Sequence, residues 1–276
     1  MAENLKPYRQ HMFQPPHSHR QHLRQPLPFL FGNVAALLFA FFLFASCNQK
    51  GQMGGIETFH TKDGKKVVIT CIKHASLQIR YDGKEFEVDP VSSAYRPIIN
   101  YTEKPKAEFI LVTHDHYDHF DPNAIFLLTK NNTVLLMPLR CYHHYPRGII
   151  IRNNEKIQLD DHIWVYAVPA YNTTREYWGL HPKGVGNGYI IDLNGFRIYI
   201  AGDTEFIPEM KNIKNIDVAF LPCDKPKTMS PAQLRQAAAV IRPKVLFPYH
   251  MGQTDSLKIV RSLRGLGIDV RMRFLK

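Results

Sequence analysis

The hydrophobic pattern changes character along the chain. "KKVVITCIK" alternates as a strand does, and "SLQIRY" and "KEFEVDP" flank Asp82–Gly83, the signature of a β-hairpin. "EFILVTH" (108–114) holds an unbroken apolar run from Phe109 to Val112, which predicts a strand covered on both faces. "PNAIFLLTK" predicts a short helix and "TVLLMP" a further strand. "IWVYAVPA" follows, then a second hairpin in which "GYIIDL" and "FRIYIAGDT" flank Asn194–Gly195. "DVAFLP" and "KVLFPYH" are strands separated by the helix "SPAQLRQAAAVI", with Ser230 as N-cap and Pro231 at the first helical position. A helix over "TDSLKIVRSLRGLG" and a last strand in "DVRMRFL" complete the pattern. Meandering strands give way to mixed strand and helix, and a similar second half follows. This predicts an α/β (α+β) fold with two packed sheets and helices outside, an αββα four-layer sandwich.

The N-terminal stretch does not fit that domain. Residues 1–28 are polar, and "VAALLFAFFLFA" (34–45) is wholly apolar. Such a run is short for a bilayer span and has the length of a signal-peptide core. It ends at Ser46–Cys47, and "LFASC" resembles a bacterial lipobox, with Phe44 where an aliphatic residue is usual. The expected organisation is a lipoprotein signal over 1–46, a linker over 47–62 and one domain over 63–276. Cys47 would carry the lipid, and the protein would be exported and held by that anchor in the bacterial cell envelope, at the outer membrane or in the periplasm.

The formal net charge is +11, and part of it lies ahead of Cys47, in Lys6, Arg9, Arg20 and Arg24. The remaining cations are scattered, so the basic balance reads as surface rather than as a nucleic-acid footprint. Cys71, Cys141 and Cys223 are far apart and form no CxxC, which argues against both a disulfide framework and a thiolate cluster. Cys71 and Cys223 sit in apolar runs and read as buried; Cys141 is left open. "CYHHYP" (141–146) reads as a solvated loop.

The chemistry concentrates in "THDHYDHFD" (113–121). In an extended segment His114, His116 and Asp118 fall on one side, with His119 offset toward a neighbouring point. Imidazoles and carboxylates so crowded would repel one another if the imidazoles were protonated, and a metal ion holds them neutral. Further polar residues end other apolar runs: Asp89 in "VDP", Asp203 in "AGDT", Asp224 in "LPCD" and His250 in "FPYH". Strand ends are where a rigid scaffold assembles a site.

The HxHxDH run, the later GDT and the strand-terminal histidine resemble the metallo-β-lactamase superfamily. "HASLQIRYDGKEFEVDPVSS" (74–93) is similar to the branch holding L-ascorbate-6-phosphate lactonase-like hydrolases and N-acylphosphatidylethanolamine phospholipase D. The resemblance implies two divalent ions, zinc first, with manganese or iron as alternatives. His114 and His116 would bind the first ion, and Asp118, His119 and His250 the second. Asp203 would bridge them, making Asp118, His119 and Asp203 the catalytic set. Asp89 would orient the metal loop, and His74 would lie close by. The third histidine of the first site is replaced by Asn172 in "VPAYN". The first site is then weak, or His181 in "LHPKG" folds back to supply the nitrogen. Lys183 and Tyr249 are candidates to support the site or meet substrate.

The leading expectation is a metal-dependent hydrolase in which ionised water attacks an ester, lactone or phosphodiester. The substrate would be a small molecule or a lipid head group, and a homo-oligomer is open. Two alternatives stand beside it: a non-catalytic metal-binding lipoprotein with a degraded site, which Asn172 would favour, and a nuclease. No RNA motif lies between the metal loop and Asp203, so no nucleic-acid partner is expected.

Overall fold

The computed structural model describes residues 55–273 and residue 275. The leader, Cys47 and the first half of the expected linker lie outside the described residues.

The first sheet contains β1 (Ile56–His60), β2 (Lys66–Lys73), β3 (Ser76–Tyr81), β4 (Lys84–Val88), β5 (Phe109–Leu111), β6 (Val134–Met137) and β7 (Ile149–Ile150), in that spatial order. The second contains β8 (Lys156–Asp160), β9 (Ile163–Ala170), β10 (Gly186–Leu193), β11 (Phe196–Ile200), β12 (Val218–Pro222), β13 (Val245–Tyr249) and β14 (Asp269–Val270), again in spatial sequence. In each sheet the first four strands pair antiparallel and the rest pair parallel. The parallel portions are joined through α1 (Pro122–Leu128), α2 (Leu139–His144), α3 (Pro231–Ile241) and α4 (Ser256–Leu263).

Alternation of side chains assigns the layers. Phe109 and Leu111 point into the core between the sheets, where they join Phe86, Ile191, Phe220 and Phe247. Ile110 and Val112 point outward, onto Ala124, Ile125 and Leu128 of α1 and Cys141 of α2. On the other side Ala219, Leu221 and Leu246 pack on Leu234, Ala238, Ile259 and Leu263 of α3 and α4. The fold is therefore the αββα sandwich that the pattern predicts. Ser230 caps α3 through a reciprocal capping box with Gln233.

Three local expectations are corrected. Residues 56–60, read as the end of a linker, form edge strand β1, in register with β2 from Ile56–Thr70 to His60–Lys66. Its buried Glu57 is paired with Arg271 and Arg273, which ties the strand to the C-terminal segment. "CYHHYP" contributes four residues to α2, where Cys141 is fully buried by the core beneath the helix. "DVRMRFL" supplies only the two residues of β14. Cys71, Cys141 and Cys223 are all buried and free. Among the described residues no helix is long and apolar enough to cross a membrane.

Candidate metal centre

The parallel strands place their C-terminal ends along one edge of the sandwich, where ligands collect in open α/β sheets. Asp89 follows β4, the 113–121 loop follows β5, Asp203 follows β11, Asp224 follows β12 and His250 follows β13. His74 enters the same edge from the turn between β2 and β3. His74, Asp89 and His250 each have φ of 44°, a left-handed conformation that costs a non-glycine residue roughly 1–3 kcal/mol and persists only where the surroundings enforce it. Gly202, at φ 65°, has no room for a side chain, since a Cβ there would lie 2.8 Å from the Asn187 carbonyl.

Two groups of side chains converge. His74, Asp118, His119 and His250 form one, His114, His116, His181 and Asp203 the other, and within each the ligand-type atoms lie within 4.8 Å of one another. Asp203 faces both. Its Oδ2 lies 3.2 Å from His181 Nε2, 3.1 Å from His250 Nε2 and 3.9 Å from His114 Nε2, and its Oδ1 lies 3.3 Å from His119 Nε2. Asp118 Oδ2 is 3.3 Å from His74 Nε2 and 3.9 Å from His250 Nε2.

These contacts are close but lack hydrogen-bond geometry. Nε2 of His74, His114, His119, His181 and His250 is buried with no hydrogen-bond partner. Burying even one such atom unpaired is costly. Five aimed at one place, with two carboxylates among them, are the donor set of a metal centre, and the arrangement fits divalent ions.

The supporting bonds fix which nitrogen faces inward. Asp89 Oδ1 accepts from the Thr113 amide at 2.7 Å, and Oδ2 accepts from Thr113 Oγ1 at 2.7 Å and from His119 Nδ1 at 2.8 Å. His119 Nδ1 is thus the donor, leaving Nε2 for the site. Asn172 serves His181 likewise: its Oδ1 accepts from His181 Nδ1 at 2.6 Å and its Nδ2 donates to the Lys227 carbonyl at 3.0 Å. Glu205 accepts from the amides of Thr173 and Thr174, at 2.7 Å each, and from both hydroxyls, holding the loop that leads to His181.

Electrostatics agree with this donor set. Burial drives His114 and His116 below the ordinary histidine value, aided by neighbouring imidazoles, and takes His74 down to about 4 despite Asp118. Burial opposes the charge on His119, yet Asp203 and then Asp89 outweigh it and raise His119 well above its ordinary value. Burial likewise pushes against ionisation of Asp203 and Asp118, but the surrounding histidines hold both carboxyls below the usual range. A metal ion would displace the His119 proton on binding.

Several sequence expectations change at this point. An extended loop would have placed Asp118 with His114 and His116. The chain instead turns, with the amides of His119 and Phe120 bonded to the His116 carbonyl, and this sets Asp118 and His119 with His250, the grouping that the resemblance implies. His74, expected only nearby, is itself a member of a group. Asn172 Oδ1 is bonded to His181 Nδ1, and His181 itself stands in the first group. Lys183 faces away, paired with Glu209 at 2.9 Å. Tyr249 is fully buried between the sheets and touches no substrate space. Asp224 Oδ2 stands 3.9 Å from His250 Nδ1. Tyr95, Thr113 and Glu205 were not foreseen. Tyr95 lies over His74, with ring centroids 4.4 Å apart and its Oη 3.4 Å from Asp118 Oδ2. Nothing in its local sequence marks it.

Comparison with known proteins agrees with this architecture. Residues 68–250 match the family described as the Beta-lactamase superfamily domain. A "UPF0173 metal-dependent hydrolase" from Methanopyrus kandleri is 27% identical over 223 residues, 75% of this chain and 96% of that protein. One from Caldivirga maquilingensis is 31% identical over 186 residues, 64% of this chain and 78% of its own. A solved Parabacteroides distasonis chain designated a metal-dependent hydrolase superimposes with a TM-score of 0.78 at 43% identity, covering 81% of this chain and all of that one. The chain thus belongs to the beta-lactamase superfamily, as a metal-dependent hydrolase.

Proposed function

We propose that the two side-chain groups form one dinuclear centre that hydrolyses an ester, lactone or phosphodiester. The observation that carries this reading is the convergence of five unpartnered Nε2 atoms on Asp203 and Asp118. His114, His116 and His181 would hold one ion, His74, His119, His250 and Asp118 the other, and Asp203 would stand between them. Imidazole-rich sets with a carboxylate suit zinc first, with manganese or iron as alternatives. Divalent ions held here supply Lewis acidity and bring the pKa of water from about 15.7 toward about 7.

The chain's own part is preorganisation. Asp89 and Asn172 lock the tautomers of His119 and His181, the 116–120 turn separates the two groups, and Glu205 fixes the loop that delivers His181. Asn172, the feature that spoke for a degraded site, supports a replacement histidine instead.

Elemental analysis of the purified protein, joined to a screen of phosphodiesters, lactones and esters, tests the reading. About two equivalents per chain, with turnover abolished by a chelator and by Asp203→Ala or His119→Ala, is expected on ligand-count grounds. A single tight equivalent with no turnover across the screen would sink it. Envelope tethering through Cys47 rests on the "LFASC" sequence. Cys47→Ser protein that stays with membranes as the native chain does would contradict it.

A further inference from the structure

Among the described residues the cleft beside the first group has one Lys or Arg in its lining, Arg140. It shares that lining with His114, His116, His181 and Asp203 of the site and with the apolar Leu180, Pro182 and Val185. Arg140 stands near the start of α2, and its side chain is half exposed, so it meets the cleft from the wall rather than from the core. Its Nη2 lies 3.1 Å from Oδ2 of Asp115, whose own side chain is almost fully buried between the metal-loop histidines. His144 Nε2 stands 3.8 Å from that same oxygen.

This arrangement fixes a guanidinium without consuming it. Arginine presents five N–H donors in a planar fork. Asp115 is the single carboxylate paired with Arg140 among the described residues, and it engages one edge of the fork. No other side-chain acceptor among the described residues is bonded to Arg140, and the polar neighbours in the lining have partners of their own: Asn187 Oδ1 accepts from Asn153 Nδ2 at 2.6 Å and Thr113 Oγ1 donates to Asp89 at 2.7 Å. Asp203, the one other acid in the lining, faces the histidines. A planar oxyanion is the group that satisfies a fork of this kind, because two parallel N–H bonds meet two oxygens.

We propose that Arg140 determines specificity by binding an anionic group, phosphate or carboxylate, that the substrate carries beside its scissile bond. The site then takes organic anions with an apolar flank in preference to neutral esters. This rests on the metal-hydrolase reading above and narrows its substrate class.

The test is calorimetric binding to the metal-loaded protein. Inorganic phosphate and acetate are the two oxyanion probes, and acetohydroxamate, a small chelating probe without an anionic arm for Arg140, is the control. Wild-type protein binds phosphate or acetate, and whichever binds more tightly identifies the preferred oxyanion. Arg140→Gln weakens that binding by about tenfold or more, while Arg140→Lys, which keeps charge but not the fork, falls between. Metal content and acetohydroxamate affinity stay as in wild type. The inference is overturned if Arg140→Gln binds the oxyanions as wild type does, or if the wild type binds acetohydroxamate but neither oxyanion. It is equally overturned if Arg140→Gln loses metal or acetohydroxamate affinity, since Arg140 then acts only by bracing Asp115 and the metal loop. Wild-type protein that takes up no metal refutes the hydrolase reading itself, and metal analysis of that sample separates the two failures.

Discussion

Asn172 and His181 form a single functional unit. The amide oxygen accepts from Nδ1 at 2.6 Å, and the amide nitrogen, bound to the Lys227 carbonyl at 3.0 Å, cannot rotate without losing its own partner. The amide therefore has one orientation, the imidazole one tautomer, and Nε2 one direction. A backbone bond from the Asn172 amide to the His181 carbonyl, at 2.9 Å, closes the loop over the same pair. Where a ligand histidine would be expected, the chain uses an asparagine to aim a histidine nine positions later.

Asn172→Ala should lower affinity for one of the two metal equivalents by roughly tenfold to a hundredfold, the usual effect of removing an orienting partner. His181→Ala should lose that equivalent altogether. Competition against a chelator of known affinity reads both. Two equivalents held as tightly in Asn172→Ala as in the native protein would remove the amide from the metal-binding unit.

Asp89 accepts three hydrogen bonds, from the Thr113 amide, the Thr113 hydroxyl and His119 Nδ1. Asparagine offers one acceptor oxygen and sets an N–H₂ against donors on the other side. Asp89→Asn should therefore turn His119 to the wrong tautomer and weaken metal retention, again by roughly tenfold to a hundredfold. Metal remaining after dialysis against a chelator is the measurement. Full retention would mean that His119 needs no carboxylate to orient it.

Much of this was legible in the sequence, for identifiable reasons. Long-period features carried the fold: apolar runs with alternating destinations, two Xaa-Gly hairpins and a capped helix at 231–241. The compact cluster at 113–121 announced the site because several ligand types stand within a few residues. What escaped depends on backbone direction at single residues. His74 joins the site because its φ is 44°, and no neighbouring residue signals that. The two-residue period predicted for the 114–118 segment gave way to a turn bonded to the His116 carbonyl. Asn172 and His181 could be offered as alternatives, but their division of labour depends on a loop clamped by Glu205, whose partners are two threonines with no sequence signature of their own.

Lys73 supplies the support beneath Tyr95. Its ammonium is buried and donates to the carbonyls of Ser92 at 2.8 Å, Pro97 at 3.1 Å and Tyr95 at 3.5 Å. Lys73→Met keeps the stem's volume and removes the donor from three carbonyls, of which only that of Ser92 keeps another partner, the Ile99 amide at 3.0 Å. A loss of roughly 1–3 kcal/mol is expected, since hydrogen bonds from a charged donor contribute about that much. Hydrogen exchange should quicken over residues 92–99 and stay unchanged in α3. Unaltered exchange in that segment would show that the loop holds its shape without the ammonium.

Glu87 makes the stability of the fold depend on pH away from the metal centre. It is fully buried on β4, with Oε1 accepting from Gln78 Nε2 at 2.9 Å and Oε2 unpartnered. Burial pushes its carboxyl from 4.5 up to about 8, against the pull of the Gln78 bond. Between those values the unfolded chain has released this proton and the folded chain still holds it. The folded state then binds more protons, so stability falls as pH rises through the window. The contribution is complete below the lower value and no further loss accrues above the upper one. Glu87→Gln removes the titration while its side-chain oxygen keeps the bond from Gln78. Its stability advantage over the native chain should grow from about pH 5 to about pH 8 and then level off. Urea unfolding across that range reads the difference directly. Parallel pH profiles for the two proteins would mean that Glu87 is ionised in the folded state and that water or a cation reaches Oε2.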